Sequence, residues 1–310
     1  MRMQNGEEKW SFIMTDLDKK RVDAIVRFAI KEDVWTGDLT SQAVLDRFLK
    51  ADGVIVSRQD AVLCGMDIAE RVFAAVDCTV RFRPEASDGD MIHPGMEIAF
   101  VEGDAHSILK AERTALNFMS LMSGVATNTE KLVDAVKGSG IEIYDTRKTI
   151  PLHRYMHKYA VTVGGGHNHR KGLWDMVLIK DNHIRAFSMQ TGISDCAVLF
   201  PELIKRARVN TQKNIKIEVE VETLAECEAA LTERPDVIML DNMSPELVVK
   251  ASDIRKKMGL EGAVLFEVSG GITLQNIHKY TKTGVDIISS GAITSSVNSV
   301  DLSLEIIFRK

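Results

Sequence analysis

Cysteine is scarce in this chain. Four occur in 310 residues, at Cys64, Cys78, Cys196 and Cys227, and none forms a CxxC pair. Such scattered thiols exclude a zinc ribbon or a disulfide frame and fit a reducing compartment. Long apolar runs are also missing. None reaches the roughly 20 residues that span a bilayer, and the opening MRMQNGEEKW lacks the apolar core of a secretory signal. A soluble, cytoplasmic protein without a membrane partner is therefore expected. Nor is there a basic excess: 39 Lys+Arg stand against 44 Asp+Glu, a formal net charge of -5. That balance argues against nucleic acid as a partner.

What is present is ordinary in bulk, with 45% hydrophobic and 27% charged residues, as in a soluble globular protein. A chain of this length holds two domains or one large barrel and can bury a sizeable core. Against the acidic background one stretch stands out. Residues Asp145–His183 carry Arg147, Lys148, Arg154, His169, Arg170 and Lys180 around the triplet Gly164–Gly166. Cations concentrated in an acidic protein fit a pocket for a small, highly charged anion.

Periodicity organises the rest. Residues Leu17–Lys31 read as a helix, and Gly37-Asp38 breaks it before a more extended region from Thr40. Short strands are expected at Val54–Val56, Ala61–Leu63, Val80–Phe82 and Ile98–Val101, with a helix at Gly65–Ala75. Ser107–Val136 reads as a long helix with Leu109, Ala115, Leu116, Met119 and Leu121 on its apolar side. Beyond it one unit repeats: a short β-rich run ending in polar residues, then a helical stretch. The runs are Ile141–Tyr144, Met176–Ile179, Ile215–Val221, Val237–Leu240, Val264–Phe266 and Asp286–Ser289. Polar residues at strand C-termini are where α/β barrels build their sites.

The run Ile215–Val221 adds a detail. Ile215, Ile217, Val219 and Val221 share one face, and Lys216, Glu218, Glu220 and Glu222 the other. The apolar face should meet helices, which turns the charged face into the lumen. Buried charges persist only when paired, so Lys216, Glu218 and Glu220 are expected in an ion network within or beneath a site.

Seven segments in order carry a resemblance to a known family: GDLTS (Gly37–Ser41), AERTALNFMSLMSGVAT (Ala111–Thr127), the stretch from DTRKT through NHR to DMVLIKDNH, EVEVET (Glu218–Thr223), LDN (Leu240–Asn242), SGGIT (Ser269–Thr273) and SSGAIT (Ser289–Thr294). Together they resemble quinolinate phosphoribosyltransferase, the decarboxylating nicotinate-nucleotide pyrophosphorylase family. The resemblance implies an α/β protein of the type II phosphoribosyltransferase class. An open α/β sandwich domain would span residues 1–114 and an incomplete α/β barrel 115–294. A helical C-terminal tail, 295–310, would return to the first domain. The implied substrates are quinolinate and phosphoribosyl pyrophosphate (PRPP).

By the same resemblance, Arg147, His169, Arg170 and Lys180 hold the quinolinate carboxylates, with Lys148 between the two substrates. Arg113, on the long helix, would reach into the neighbouring subunit's site, implying a homodimer. Glu220 and Asp241 would hold Mg²⁺ with PRPP, and with Lys148 form the catalytic group. Ser269, Gly270, Gly271, Ser290 and Gly291 would take the ribose 5′-phosphate, because glycines let backbone N–H groups approach it. His153 and His157, spaced i, i+4, could suggest a metal pair, but no HExxH glutamate accompanies them.

Three positions depart from the family pattern. Ile150-Pro151-Leu152 stands where Thr-Pro-Gly is usual, His167 where an Arg often precedes NHR, and Ser295 where many members have His. Residues Arg185–Lys213 form a longer segment than is typical. Two alternatives share the barrel: a relative associated with molybdate transport, and a non-catalytic phosphate-binding barrel.

Overall fold

The protein is described by a computed structural model over residues 16–45 and 49–308. The opening ten residues, read above for a signal, lie outside the described residues, as do the last two of the tail. The chain begins with α1 (Asp16–Val34), α2 (Leu39–Val44), β1 (Lys50–Ser57), β2 (Ala61–Val62), α3 (Met66–Val76), β3 (Arg81–Pro84), β4 (Met91–Ile92) and β5 (Glu97–Asp104). Then come α4 (Ala105–Ala135), β6 (Glu142–Tyr144), α5 (Arg154–Val163), β7 (Val177–Ile179), α6 (Asp181–Thr191) and α7 (Cys196–Val209). It finishes with β8 (Ile217–Val221), α8 (Leu224–Leu231), β9 (Val237–Asp241), α9 (Pro245–Lys257), β10 (Leu265–Ser269), β11 (Ile287–Ser289), α10 (Ala292–Ser295) and β12 (Leu302–Phe308).

These elements fall into two compact units: Met1–Glu130 with Thr149–Gly166 and Ile293–Lys310, and Lys131–Lys148 with His167–Ala292. The first unit contains a four-stranded antiparallel sheet in the order β12-β1-β5-β3. Along α4, Ile108, Ala111, Ala115, Leu116, Met119 and Met122 are buried, a three-to-four spacing that lines one helical face. Leu109 and Leu121, expected on that face, are only half-buried at its margins.

Two expectations fail here, one to a local cap and one to a distant partner. The region after Thr40 is not extended but forms α2. Asp38 caps it, its side chain accepting from the N–H groups of Thr40 at 3.0 Å and Ser41 at 3.1 Å. The tail is not helical beyond α10. Leu302, Leu304 and Ile306 alternate with Ser303, Glu305 and Ile307, and this period-two segment pairs antiparallel with the edge of β1.

The second unit carries the repeat. Its six strands are all parallel, in the order β6-β11-β10-β9-β8-β7. Strands β6 and β7 are its edges, and no ladder joins them among the described residues, which leaves an α/β barrel open at that seam. All six apolar runs read from the sequence are strands. Each is short because both faces are covered, so a few β-branched residues suffice. The long segment after β7 folds as two helices, α6 and α7.

Candidate active site

The strand ends of the second unit converge on a buried polar cluster. Every residue of β8 is buried, including Glu218 and Glu220. Glu218 Oε2 lies 3.0 Å from His169 Nε2, and Glu267 Oε2, from β10, lies 3.7 Å from the same nitrogen. Ser289 at the end of β11 donates its hydroxyl to Glu267 Oε1 at 2.5 Å. Asp145, just past β6, accepts the His169 backbone N–H at 2.7 Å. Two strands thereby face the imidazole, while the ends of two more hold its backbone and its Glu267 neighbour.

The ligating atoms of His169, Glu218 and Glu267 all lie within 4.8 Å of one another, close enough to raise the question of a metal. The ring answers it. His169 Nδ1 accepts the Arg170 N–H at 2.8 Å. A ring bound to metal through Nε2 would need its proton on Nδ1, where that N–H already points. The cluster therefore holds protons. Burial, and next the neighbouring Glu218 carboxylate, push Glu267 up to about 8, so it is protonated at neutral pH. Burial disfavours a charged His169, but Glu218 and Glu267 outweigh it and raise the ring to about 9. The N–H aimed at Nδ1 resists a second ring proton. The proton on Nε2, directed at Glu218, is the one the geometry supports.

Beside this cluster stand the cations. The Nε groups of Arg147 and Arg170 are both buried without a hydrogen-bond partner among the described residues, and so is the side-chain amide of Asn168. Burial, then the charge of Arg147, lower the Arg170 pKa. Two guanidiniums crowded together with unmet N–H donors form a receptacle for anions. Lys180, which N-caps α6, reaches Glu220 Oε2 with Nζ at 2.5 Å. Lys148 lies over Gly291, where a Cβ would stand 2.8 Å from its Cδ.

Glu220 and Asp241 end adjacent strands. Asp241 is raised from its ordinary value by burial first and by the Glu220 charge second. Carboxylates held in mutual repulsion suit a cation, and hard oxygen donors suit Mg²⁺ in particular. A cleft of about 130 Å³ beside Glu220 is lined also by Asp181, Glu222 and Glu226.

Two glycine turns follow β10 and β11. Gly270 and Gly271 have φ of 99° and 63°, which side chains rarely adopt. The Ser290 hydroxyl donates to the Ile272 carbonyl at 2.7 Å and its backbone N–H to the Tyr144 carbonyl at 3.0 Å, so, against the expectation from the sequence, both donors of Ser290 are already taken and neither is open to a phosphate.

Other candidates lie in the first unit. Arg113 is exposed on α4, with Glu112 3.9 Å away. The Gly164–Gly166 triplet is a packing device: a Cβ at Gly164 would collide with the Ala126 carbonyl and Thr129 of α4. His153 precedes α5 and its ring centroid is 6.1 Å from that of the buried His157. Leu152 takes φ of 68°, a glycine-like conformation at the position where the family pattern has glycine.

The sequence reading missed Asn168, Glu267 and Ser289 as members of the site. Only Glu267 left a signal, an acidic residue inside the apolar run VLFEVS.

This geometry can be set beside known proteins. Residues 125–305 match the family model of the quinolinate phosphoribosyl transferase C-terminal domain, and residues 38–123 that of its N-terminal domain. The chain belongs to the quinolinate phosphoribosyltransferase family. A probable nicotinate-nucleotide pyrophosphorylase (carboxylating) of Methanocaldococcus jannaschii is 40% identical over 291 residues, covering 91% of this chain and 96% of its own. Quinolinate phosphoribosyltransferase (decarboxylating) 1b of Nicotiana tabacum is 38% identical over 293 residues, 91% of this chain and 81% of its own. The solved structure of the nicotinate-nucleotide pyrophosphorylase from Francisella tularensis superimposes with a TM-score of 0.86 at 37% identity, covering 96% of this chain and 100% of that one.

Proposed function

We propose that this family member transfers the phosphoribosyl group of PRPP to quinolinate with decarboxylation, giving nicotinate mononucleotide, pyrophosphate and CO₂ in de novo NAD biosynthesis. The observation that carries this reading is the pair Arg147 and Arg170, half-buried and buried respectively, whose Nε–H donors are both out of reach of solvent and unmet among the described residues. Such a pair stays charged with its donors buried only if anions neutralise it, and a dicarboxylate next to a phosphorylated sugar supplies them. The names of the matched relatives support the same reaction.

In this reading Arg147, Arg170 and Lys180 bind the quinolinate carboxylates, and Lys148 lies between the substrates. His169 joins them by trading its Glu218 partner for a substrate carboxylate. The turns at Ser269–Gly271 and at Gly291 take the 5′-phosphate, which their glycines let approach the backbone. Glu220 and Asp241 hold Mg²⁺, which when bound offsets charge on the pyrophosphate. The pyridine nitrogen then forms the bond to C1′ as the bond from C1′ to pyrophosphate breaks. N-ribosylation makes the ring cationic, so the bond to the 2-carboxylate breaks with its electron pair left on the ring, and a proton takes its place. No protein nucleophile is required. The chain supplies position and electrostatics.

We place the reaction in the cytoplasm and in a homodimer whose partner contributes Arg113. Arg113→Ala and Lys148→Ala should each nearly abolish activity, and mixing the two should restore part of it. No recovery after confirmed subunit exchange would remove Arg113 from a shared site.

The decisive assay is CO₂ release from quinolinate with and without PRPP. Release is expected only with PRPP, and nicotinate should be used at least about tenfold less efficiently, because its missing carboxylate leaves buried donors unmet. Comparable efficiency on nicotinate would mean that the cations serve phosphate alone. PRPP binding without turnover of either acid would instead favour the phosphate-binding barrel.

A further inference from the structure

At the peptide after Asp241 the strand end assigned to the cation meets the turn assigned to phosphate. Asn242 has φ of 52°, in the left-handed region where asparagine is among the few tolerated residues. Its Nδ2–H donates to Asp241 Oδ2 at 2.7 Å. Its backbone N–H donates to the Ser269 carbonyl at 3.0 Å, and Ser269 is the register partner of Asp241 across β9 and β10. Its Oδ1 fills the space where a side chain on Gly270 would begin, so position 270 admits only glycine beside it. Both ends of the side chain and the main-chain N–H are thus in use, and the backbone is held in a sparsely populated conformation to allow it.

We propose that Asn242 is a positioning residue that fixes the Asp241 carboxylate relative to the Gly270 turn. Fixing Oδ2 orients Oδ1, and the same side chain sets where the Gly270 backbone stands. The cation-holding carboxylate and the phosphate-holding loop are thereby one rigid piece, and Asn242 makes no contact with substrate itself. This inference rests on the reading of Asp241 as a cation ligand given above.

The test compares wild type, Asn242→Gly, Asn242→Asp, Asp241→Asn and the double variant Asn242→Gly/Asp241→Asn. Steady-state constants are measured for PRPP and quinolinate, with the Mg²⁺ dependence and thermal melting of each. Glycine keeps the left-handed backbone and deletes the tether. Aspartate keeps the shape and conformational preference but removes the N–H donor. Both single changes at 242 should raise the KM for PRPP and the half-saturating Mg²⁺ at least tenfold. The KM for quinolinate should move less than about twofold and melting by no more than a few degrees. In the Asp241→Asn background, Asn242→Gly should add little, because coupled residues are non-additive. Unchanged PRPP and Mg²⁺ constants in both Asn242 variants, with Asp241→Asn impaired, overturn the positioning role alone. Equal losses for both substrates, or additive losses in the double variant, also overturn it in favour of general structural damage. If Asp241→Asn itself leaves PRPP and Mg²⁺ dependence intact, the cation reading beneath it fails instead.

Discussion

Strand β1 of the first unit and strand β8 of the second both alternate polar or small residues with apolar ones. In β1, Ala51, Gly53 and Ile55 are buried, while Lys50 is exposed and Asp52 and Val54 are half-buried. In β8, all five residues of Ile217–Val221 are buried, and Glu218 and Glu220 face His169 and Lys180. Alternation therefore tells which residues share a face, and not what that face meets. An antiparallel sheet can leave one face to water, whereas a parallel sheet wrapped by helices has none to give. A charge on the second kind of strand must find a partner inside, and the partners here are the groups of a site.

The largest effect that would sharpen this contrast comes from removing a lumen charge. Glu218→Ala leaves the buried His169 Nε2 proton without its nearest acceptor, which costs roughly 1–3 kcal/mol, and the cavity it opens adds to the loss. Denaturant melts should show a loss of that order. Glu267→Gln should not destabilise at pH 7, because the folded protein must hold Glu267 protonated at a cost that a neutral amide does not carry. Its folded value of about 8 lies above that of an unfolded glutamate, so the wild type loses stability as pH rises through that window. The glutamine variant should lose less. Equal damage from both changes would mean that the two carboxylates are equivalent, contrary to the geometry.

An intermediate effect is expected at His157, which the first unit buries by keeping it neutral. Burial first, and His153 second, lower it to about 4 from an ordinary 6.5. The unfolded chain takes up the proton first. Stability is therefore full above pH 6.5 and falls as pH drops toward 4, by about 3 kcal/mol over the window. His157→Leu should flatten that slope. An unchanged acid transition, followed by circular dichroism, would assign acid sensitivity elsewhere.

The smallest effect belongs to the outer sheet. Arg58 and Glu305 form a 2.5 Å ion pair between β12 and the residue following β1, with side chains 44% and 54% exposed. Such surface pairs contribute little, so Arg58→Ala should change stability by no more than about 0.5 kcal/mol. A loss comparable to that of Glu218→Ala would erase the distinction between the two sheets.

Much of the fold was legible because its signals are local. Six short apolar runs ending in polar residues became six parallel strands, and the spacing along Ser107–Val136 became α4. Of the two failures, α2 was settled by the nearby cap at Asp38 and the tail by a partner distant in sequence. The segment Leu302–Phe308 is a strand because the edge of β1 was available to pair with it. At the site, Arg147, Arg170, Lys180 and Glu220 stood out because charges at strand ends are conspicuous. Glu267 and Ser289 did not, because one acidic residue in an apolar run and one serine at a strand end say nothing about each other until β10 and β11 pair.

By itself, the sequence determined the alternation of β8, the order of strands and helices, the concentration of cations between Asp145 and His183, and the family motifs. These follow from side-chain chemistry and spacing along the chain. Only the tertiary structure decided that Glu218 and Glu267 share one imidazole, that Gly164 serves packing against α4, and that Asn242 links Asp241 to the Gly270 turn. The physical reason is common to all three. Protonation, close approach and hydrogen bonding depend on separations of a few ångströms between residues far apart in the chain, and those separations exist only once the strands have paired.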